Sequence, residues 1–218
     1  MKAVIEHIPV SVPIELGALD GDLNIPPELK GLVLFAHGSG SSRHSPRNRY
    51  VADVLNESSL GTLLVDLLTA DEEREDEYNA RLRFDIDLLT KRVVTITNWL
   101  AKQPQATGHT LGLFGASTGA AAALMAAARL PKLVKAVVSR GGRPDLAGLD
   151  AALVGVPTLL IVGGEDTEVI QMNRDAMALM KCETKLAIVP GATHLFEEPG
   201  TLAKVAKLAA GWFAAHLK

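Results

Sequence analysis

The chain has 218 residues, of which 48% are hydrophobic and 22% charged, and carries a formal net charge of -3. This is enough apolar surface for one sizeable core and too little length for two, so a single domain over residues 1–218 is expected. The mildly acidic balance, without any basic block, excludes the usual electrostatic footprint of a nucleic-acid partner, and no segment approaches the roughly 20 apolar residues of a membrane span.

The first runs, AVIEHIPV at 3–10 and VPIELGA at 12–18, alternate apolar and polar residues and read as an antiparallel pair at a sheet edge. From Gly31 onward come GLVLFAHG at 31–38, TLLVDLL at 62–68, TLGLFGA at 110–116, LVKAVVS at 133–139, TLLIVGG at 158–164 and KLAIVPG at 185–191. They are rich in Val, Leu and Ile without clean alternation, as strands covered on both faces are. Helical patterns lie between them at 46–58, 80–102, 118–130, 168–181 and 199–216, with Pro46 and Pro199 suited to a first turn. The acidic stretch ADEEREDEYNA at 70–80 reads as a solvated charged surface that opens the second helix or a loop above the sheet. This alternation predicts a mostly parallel α/β sheet of about eight strands flanked by helices.

The N-terminus MKAVIEHIPV has no long apolar core or small-residue cleavage site. The single cysteine, Cys182, cannot form an internal disulfide. A cytoplasmic protein is the expectation. No Cys/His spacing suits structural zinc and no His-Glu-x-x-His pair occurs, so neither a metal nor a cofactor is expected.

Chemistry enters at Gly115-Ala116-Ser117-Thr118-Gly119, a Gly-x-Ser-x-Gly pattern with a strand signal before it and a helix signal after. Such a turn presents a serine hydroxyl in strained geometry, while the glycines let strand and helix approach. The alternative is a small-residue cluster that only packs a helix, so partners must decide. A nucleophilic serine needs a base, and the base needs a carboxylate to fix its tautomer. Among six histidines, His194 in VPGATHLFEEPG leaves the last strand at the sheet's carboxyl end, where open α/β sheets place their sites. Asp166 in IVGGEDTEVI leaves the preceding strand at the same edge, with Glu165 beside it as a substitute. Each has a structural alternative: a loop histidine bonded to a carbonyl, and an aspartate capping a helix. The order Ser, Asp, His favours the triad. Oxyanion donors are then expected from the backbone N–H groups of Thr118 and of Ser39 in AHGSGSSRHSPRN.

With HGSGSS, GASTGAAAAL, VGGEDTEV and PGATHLFEEPG in place, the chain resembles an α/β-hydrolase of the dienelactone hydrolase-like group over essentially its whole length from Gly31. The resemblance implies an eight-stranded α/β-hydrolase fold and metal-independent cleavage of an ester or lactone through an acyl-enzyme. It also implies Ser117, Asp166 and His194 as the triad. At one position the chain departs: dienelactone hydrolases proper use cysteine as nucleophile, whereas Ser117 stands here and Cys182 lies elsewhere. The expected substrate therefore moves from dienelactone itself to a small ester, thioester or lactone. The chain is also similar to small bacterial hydrolases of that superfamily, some of them fused to a phosphoribosyltransferase domain, and no such second domain is expected here. Arg43 and Arg47 in the Ser39 loop and Arg140 in SRGGRPD are candidates for binding an anionic group on the substrate. The alternative is that these arginines pair with nearby acids to lock loops. A non-catalytic ligand-binding or regulatory protein on the same fold is the rival from another class.

Overall fold

The computed structural model describes residues 4–217. Eight strands form one sheet in the order β1-β2-β4-β3-β5-β6-β7-β8: β1 (Glu6–Ile14), β2 (Gly17–Ile25), β3 (Gly31–Ala36), β4 (Leu60–Val65), β5 (Leu111–Ala116), β6 (Val134–Arg140), β7 (Thr158–Gly163) and β8 (Thr184–Val189). From β3 to β8 all pairings are parallel, while β1 and β2 join as an antiparallel hairpin along the far edge. This is the α/β-hydrolase architecture.

Strands β3, β4, β5 and β7 are buried at every residue, which explains their unbroken apolar runs. On one face α1 (Pro46–Glu57) and α6 (Thr201–His216) cover Val33, Phe35, Phe114 and Val138. On the other lie α3 (Ile86–Leu100), α4 (Thr118–Arg129) and α5 (Thr167–Leu179), with two 3-10 turns joined at a kink over Pro144–Leu153 between them. The alanines of α4 let it sit close to the strands, and all of Ala120–Ala123 are fully buried.

Three expectations need correction. The run 12–18 is not a strand: the hairpin turns at Glu15-Leu16, and β2 is the polar stretch GALDGDLNI. Its Leu19, Gly21 and Leu23 face inward with period two, a pattern hidden by the charged residues between them. The predicted helix over 80–102 is shorter, and the acidic stretch forms its own helix, α2 (Ala70–Asn79), opened by a capping box of Thr69 and Glu72. Pro199 lies outside α6, which begins after Gly200.

Candidate active site

Strand β5 leads into Ser117, whose backbone takes φ 50 and ψ -121, a left-handed conformation that costs a non-glycine residue about 1–3 kcal/mol. The strain is held from several sides. Ser117 N–H donates to the Arg140 carbonyl at 3.2 Å, and the Ser117 carbonyl accepts from Ala120 N at 3.1 Å and Arg143 N at 3.1 Å. Gly119 makes the tight turn possible, because a Cβ there would stand 2.3 Å from the Ala36 carbonyl oxygen and 2.4 Å from that of His37. Ser117 occupies the position before α4, yet its side chain makes no capping hydrogen bond. The hydroxyl is thus left free of the helix.

Asp166 stands at the N-cap position of α5 but does not cap it. Its Oδ2 instead accepts a hydrogen bond from His194 Nδ1 at 2.6 Å, with the two side chains 16% and 38% exposed. Of the two structural alternatives raised from sequence, a capping aspartate and a carbonyl-bonded histidine, neither is what the structure contains. Backbone contacts between the two loops set this pairing: Glu165 N donates to the Ala192 carbonyl at 2.9 Å, and a Cβ on Gly163 would meet the Ala192 carbonyl oxygen at 2.4 Å. Glu165 itself points to solvent. The loop after β8 is braced further by the Thr193 hydroxyl, which donates to Glu198 at 2.6 Å.

His194 also lies over the exit of β6. The site of a Cβ on Gly141 is 3.1 Å from the His194 carbonyl oxygen and 3.5 Å from its ring Cε1. Ser117 is anchored to Arg140, the residue before Gly141, so Ser117 and His194 share one corner of the sheet's carboxyl edge. Among the described residues His194 makes its ring hydrogen bond to Asp166 only. His194 makes no hydrogen bond to Ser117 in this structure.

The Ser39 loop lies against the same turn, with Ser117 Cβ 3.0 Å from where a Gly38 Cβ would be. Ser39 N–H, however, donates to the Thr118 hydroxyl at 2.9 Å. One expected oxyanion donor is therefore engaged in this structure, whereas Thr118 N–H heads α4, where backbone donors have no intrahelical acceptor. Sequence reasoning passed over His37, which sets this loop. Leu67 N–H donates to its Nε2 at 3.1 Å, so the proton sits on Nδ1 and is donated to the Gly38 carbonyl at 3.0 Å. Burial holds the His37 pKa below the ordinary histidine value, although the Gly38 carbonyl, Asp66 and Glu73 pull the other way. The imidazole is neutral and structural.

Of Arg43, Arg47, Arg140 and Arg143, the first two and the last have acidic partners. Arg43 is bound to Asp66 through both its backbone N–H and its guanidinium, with Asp22 beyond, so it braces the loop. Arg47 donates to the exposed Glu197 at 3.2 Å, and Arg143 to Asp145 at 2.7 Å. Arg140 has no acidic partner among the described residues. The acidic helix α2 also departs from a purely solvated surface. Asp76 is buried; burial alone would raise its pKa, but Arg83 at 2.5 Å and the N–H groups of Leu82 and Arg83 hold it below the usual range. Arg83 then reaches towards Gly40, so α2 closes one side of a cleft beside the Ser39 loop. The spacing Thr69-x-x-Glu72 was the available signal for this helix.

Among the described residues no group of three or more His, Cys, Asp or Glu is placed to hold a metal ion, and no helix is long and apolar enough to cross a membrane. A profile of the Dienelactone hydrolase family matches residues 51–215. The crystal structure of a dienelactone hydrolase from Anabaena variabilis is 54% identical, covers 98% of this chain and 99% of that one, and superposes with a TM-score of 0.96. Est1E from Butyrivibrio proteoclasticus shares the fold at 16% identity, with a TM-score of 0.79 over 95% of this chain and 98% of that one. Proteins from two strains of Mycobacterium tuberculosis, provisionally named phosphoribosyl transferases, are 57% identical over 197 residues, which is 90% of this chain and 44% of theirs. The chain thus spans less than half the length of these curated relatives. A family match over more than half of the chain and the close likeness to the Anabaena variabilis structure lead to one conclusion: the chain belongs to the dienelactone hydrolase family.

Proposed function

We propose that this chain is a serine hydrolase of small esters, thioesters or lactones. The observation that carries the reading is the pairing of Asp166 with His194, made at the expense of a helix cap, at the corner where Ser117 is held strained and uncapped. With Asp166 fixing the proton on Nδ1, His194 Nε2 is the basic nitrogen and takes the Ser117 hydroxyl proton as Oγ attacks the carbonyl. The oxyanion is received by Thr118 N–H and, once the Thr118 hydroxyl rotates aside, by Ser39 N–H. Imidazolium returns the proton to the leaving alcohol or thiol, and water attacks the acyl-enzyme through the same base. The transferase named for the Mycobacterium tuberculosis relatives describes proteins more than twice as long as the matched segment. All three proposed triad residues lie inside the stretch matched by the hydrolase family profile, which favours hydrolysis for this segment.

Ser117→Ala tests the reading. Turnover of p-nitrophenyl acetate should fall by about 10³- to 10⁶-fold, and the single adduct formed with a fluorophosphonate probe should disappear from the intact-mass spectrum. A purified variant that keeps most of its activity, or a parent protein that never forms the adduct, overturns the assignment; the second result is what a non-catalytic binding protein would give.

A further inference from the structure

Helix α5 buries Val169, Ile170, Asn173 and Ala176, a stripe at helical spacing that is apolar except at one position. Asn173 is fully buried there, although asparagine suits a helix interior poorly and a buried amide is costly unless it is hydrogen-bonded. Its Nδ2 uses both N–H bonds. One donates to the Val169 carbonyl at 2.8 Å, a turn back in the same helix, and the other to the Gly142 carbonyl at 3.0 Å, 31 residues away in the chain. Both partners are acceptors, so only the nitrogen end of the amide can meet them. Its Oδ1 is buried without a partner among the described residues, a further cost that an apolar side chain would not carry.

The Gly142 carbonyl belongs to the same planar peptide as Arg143 N–H, and the two ends of a trans peptide point in opposite directions. Arg143 N–H donates to the Ser117 carbonyl at 3.1 Å. That carbonyl in turn shares its peptide plane with Thr118 N–H, the donor assigned to the oxyanion. Two peptide planes thus lead from Asn173 to the serine turn, each held by a hydrogen bond at its carbonyl. Gly142 is packed without room for a side chain: a Cβ would stand 1.9 Å from Ser139 Oγ and 2.6 Å from Ala120 Cβ. Asn173 also stands about two turns after Asp166, on the same side of α5.

We infer that Asn173 is a positioning residue for the reaction: through the 142–143 peptide it aims Thr118 N–H at the oxyanion, and through α5 it ties that donor to Asp166. A backbone as strained as that of Ser117 persists only where its surroundings over-determine it, and Asn173 supplies one of the constraints. Ala120 N–H holds the Ser117 carbonyl as well, so losing Asn173 loosens the turn without dissolving it.

The role rests on the proposed hydrolase reading, so one readout is chosen that needs no turnover. Asn173→Leu keeps the branched shape and suits the apolar stripe but cannot donate. Its kcat/KM for p-nitrophenyl acetate should fall by about 10- to 100-fold, the range for a catalytic group misplaced by about 1 Å. Affinity for phenylboronic acid, whose tetrahedral adduct on Ser117 puts an oxygen at the oxyanion position, should fall by the same factor. Amide hydrogen exchange at Arg143 should quicken about tenfold, while Gly141 N–H, bonded to the Ile161 carbonyl at 2.8 Å, keeps its rate. Asn173→Asp donates to the Gly142 carbonyl only when protonated, so its activity relative to the parent should be higher at about pH 6 than at about pH 8. This second variant keeps the test decisive if Asn173→Leu does not fold. A purely structural asparagine would lower the melting temperature of both variants and leave boronate affinity, Arg143 exchange and the relative pH trend where they were. That result, or faster Arg143 exchange with kcat/KM within about twofold of the parent, overturns the role. In a parent protein without esterase activity the hydrolase reading falls, and exchange at Arg143 then decides separately whether Asn173 holds the Ser117 turn.

Discussion

Replacing Asp166 by Asn removes one negative charge from beside His194 without changing the side chain's shape. In the proposed reaction the imidazole gains a proton at the transition state, and a carboxylate about 4 Å from the centre of that charge contributes roughly 4 kcal/mol at an effective dielectric constant near 20. The Asp166 side chain is 16% exposed and its oxygen lies 2.6 Å from Nδ1, so this partly buried regime is the appropriate one. At 1.36 kcal/mol per tenfold, the loss corresponds to about 10³ in kcat. An amide N–H facing Nδ1 also favours the wrong tautomer, which carries the effect towards about 10⁴. Initial rates with p-nitrophenyl acetate read this directly, and a thermal melt serves as the structural control. Because Asp166 does not cap α5, Asn should leave the melting temperature nearly where it was. Turnover within about tenfold of the parent, in a folded variant, would refute the role given to the carboxylate.

Two further outcomes concern stability. His37 has a folded pKa below its unfolded value, so unfolding takes up a proton: its contribution is complete above about pH 6.5 and declines as pH falls below that. Urea midpoints measured from pH 7.5 down to 5.5 should therefore decrease, and an increase on acidification contradicts a neutral His37. Gly119→Ala drives a methyl group into two backbone carbonyls that cannot rotate away, at a cost of about 3 kcal/mol or a fall of roughly 6–12 °C in Tm. Gly211→Ala in α6, where nothing stands within 4 Å, should instead raise Tm slightly, by about 1–3 °C. Equal effects at both glycines would show that the contacts at Gly119 do not matter.

The core strands were readable because double-sided burial writes itself as unbroken Val, Leu and Ile, and the six parallel strands fall within a few residues of their apolar runs. The hairpin is hard to place because the two central residues of its turn, Glu15 and Leu16, are not usual turn formers, leaving Gly17 with φ +106 as the one local signal, and because β2 shows its inward leucines only at every second position. Helix α2 was obscured by its charge. Composition suggests solvent for ADEEREDEYNA, whereas Asp76 is buried through contacts with Leu82 and Arg83 beyond the helix end. At the site, strand exits and residue order were enough to select Asp166 and His194 as neighbours. The engagement of Ser39 N–H by Thr118 joins residues 79 apart, and no local pattern announces it. The same holds for the missing partner of Arg140, which is a property of the assembled surroundings.

The loops that bring Asp166 and His194 together leave β7 and β8, and β8 is the outermost strand on its side, with only Val189 fully covered. The imidazole of the proposed relay is therefore hung on the margin of the sheet, while Ser117 is rooted in its centre. Fraying of that margin parts the imidazole from the hydroxyl long before the interior gives way. The proposed relay is thus more fragile than the scaffold that carries it.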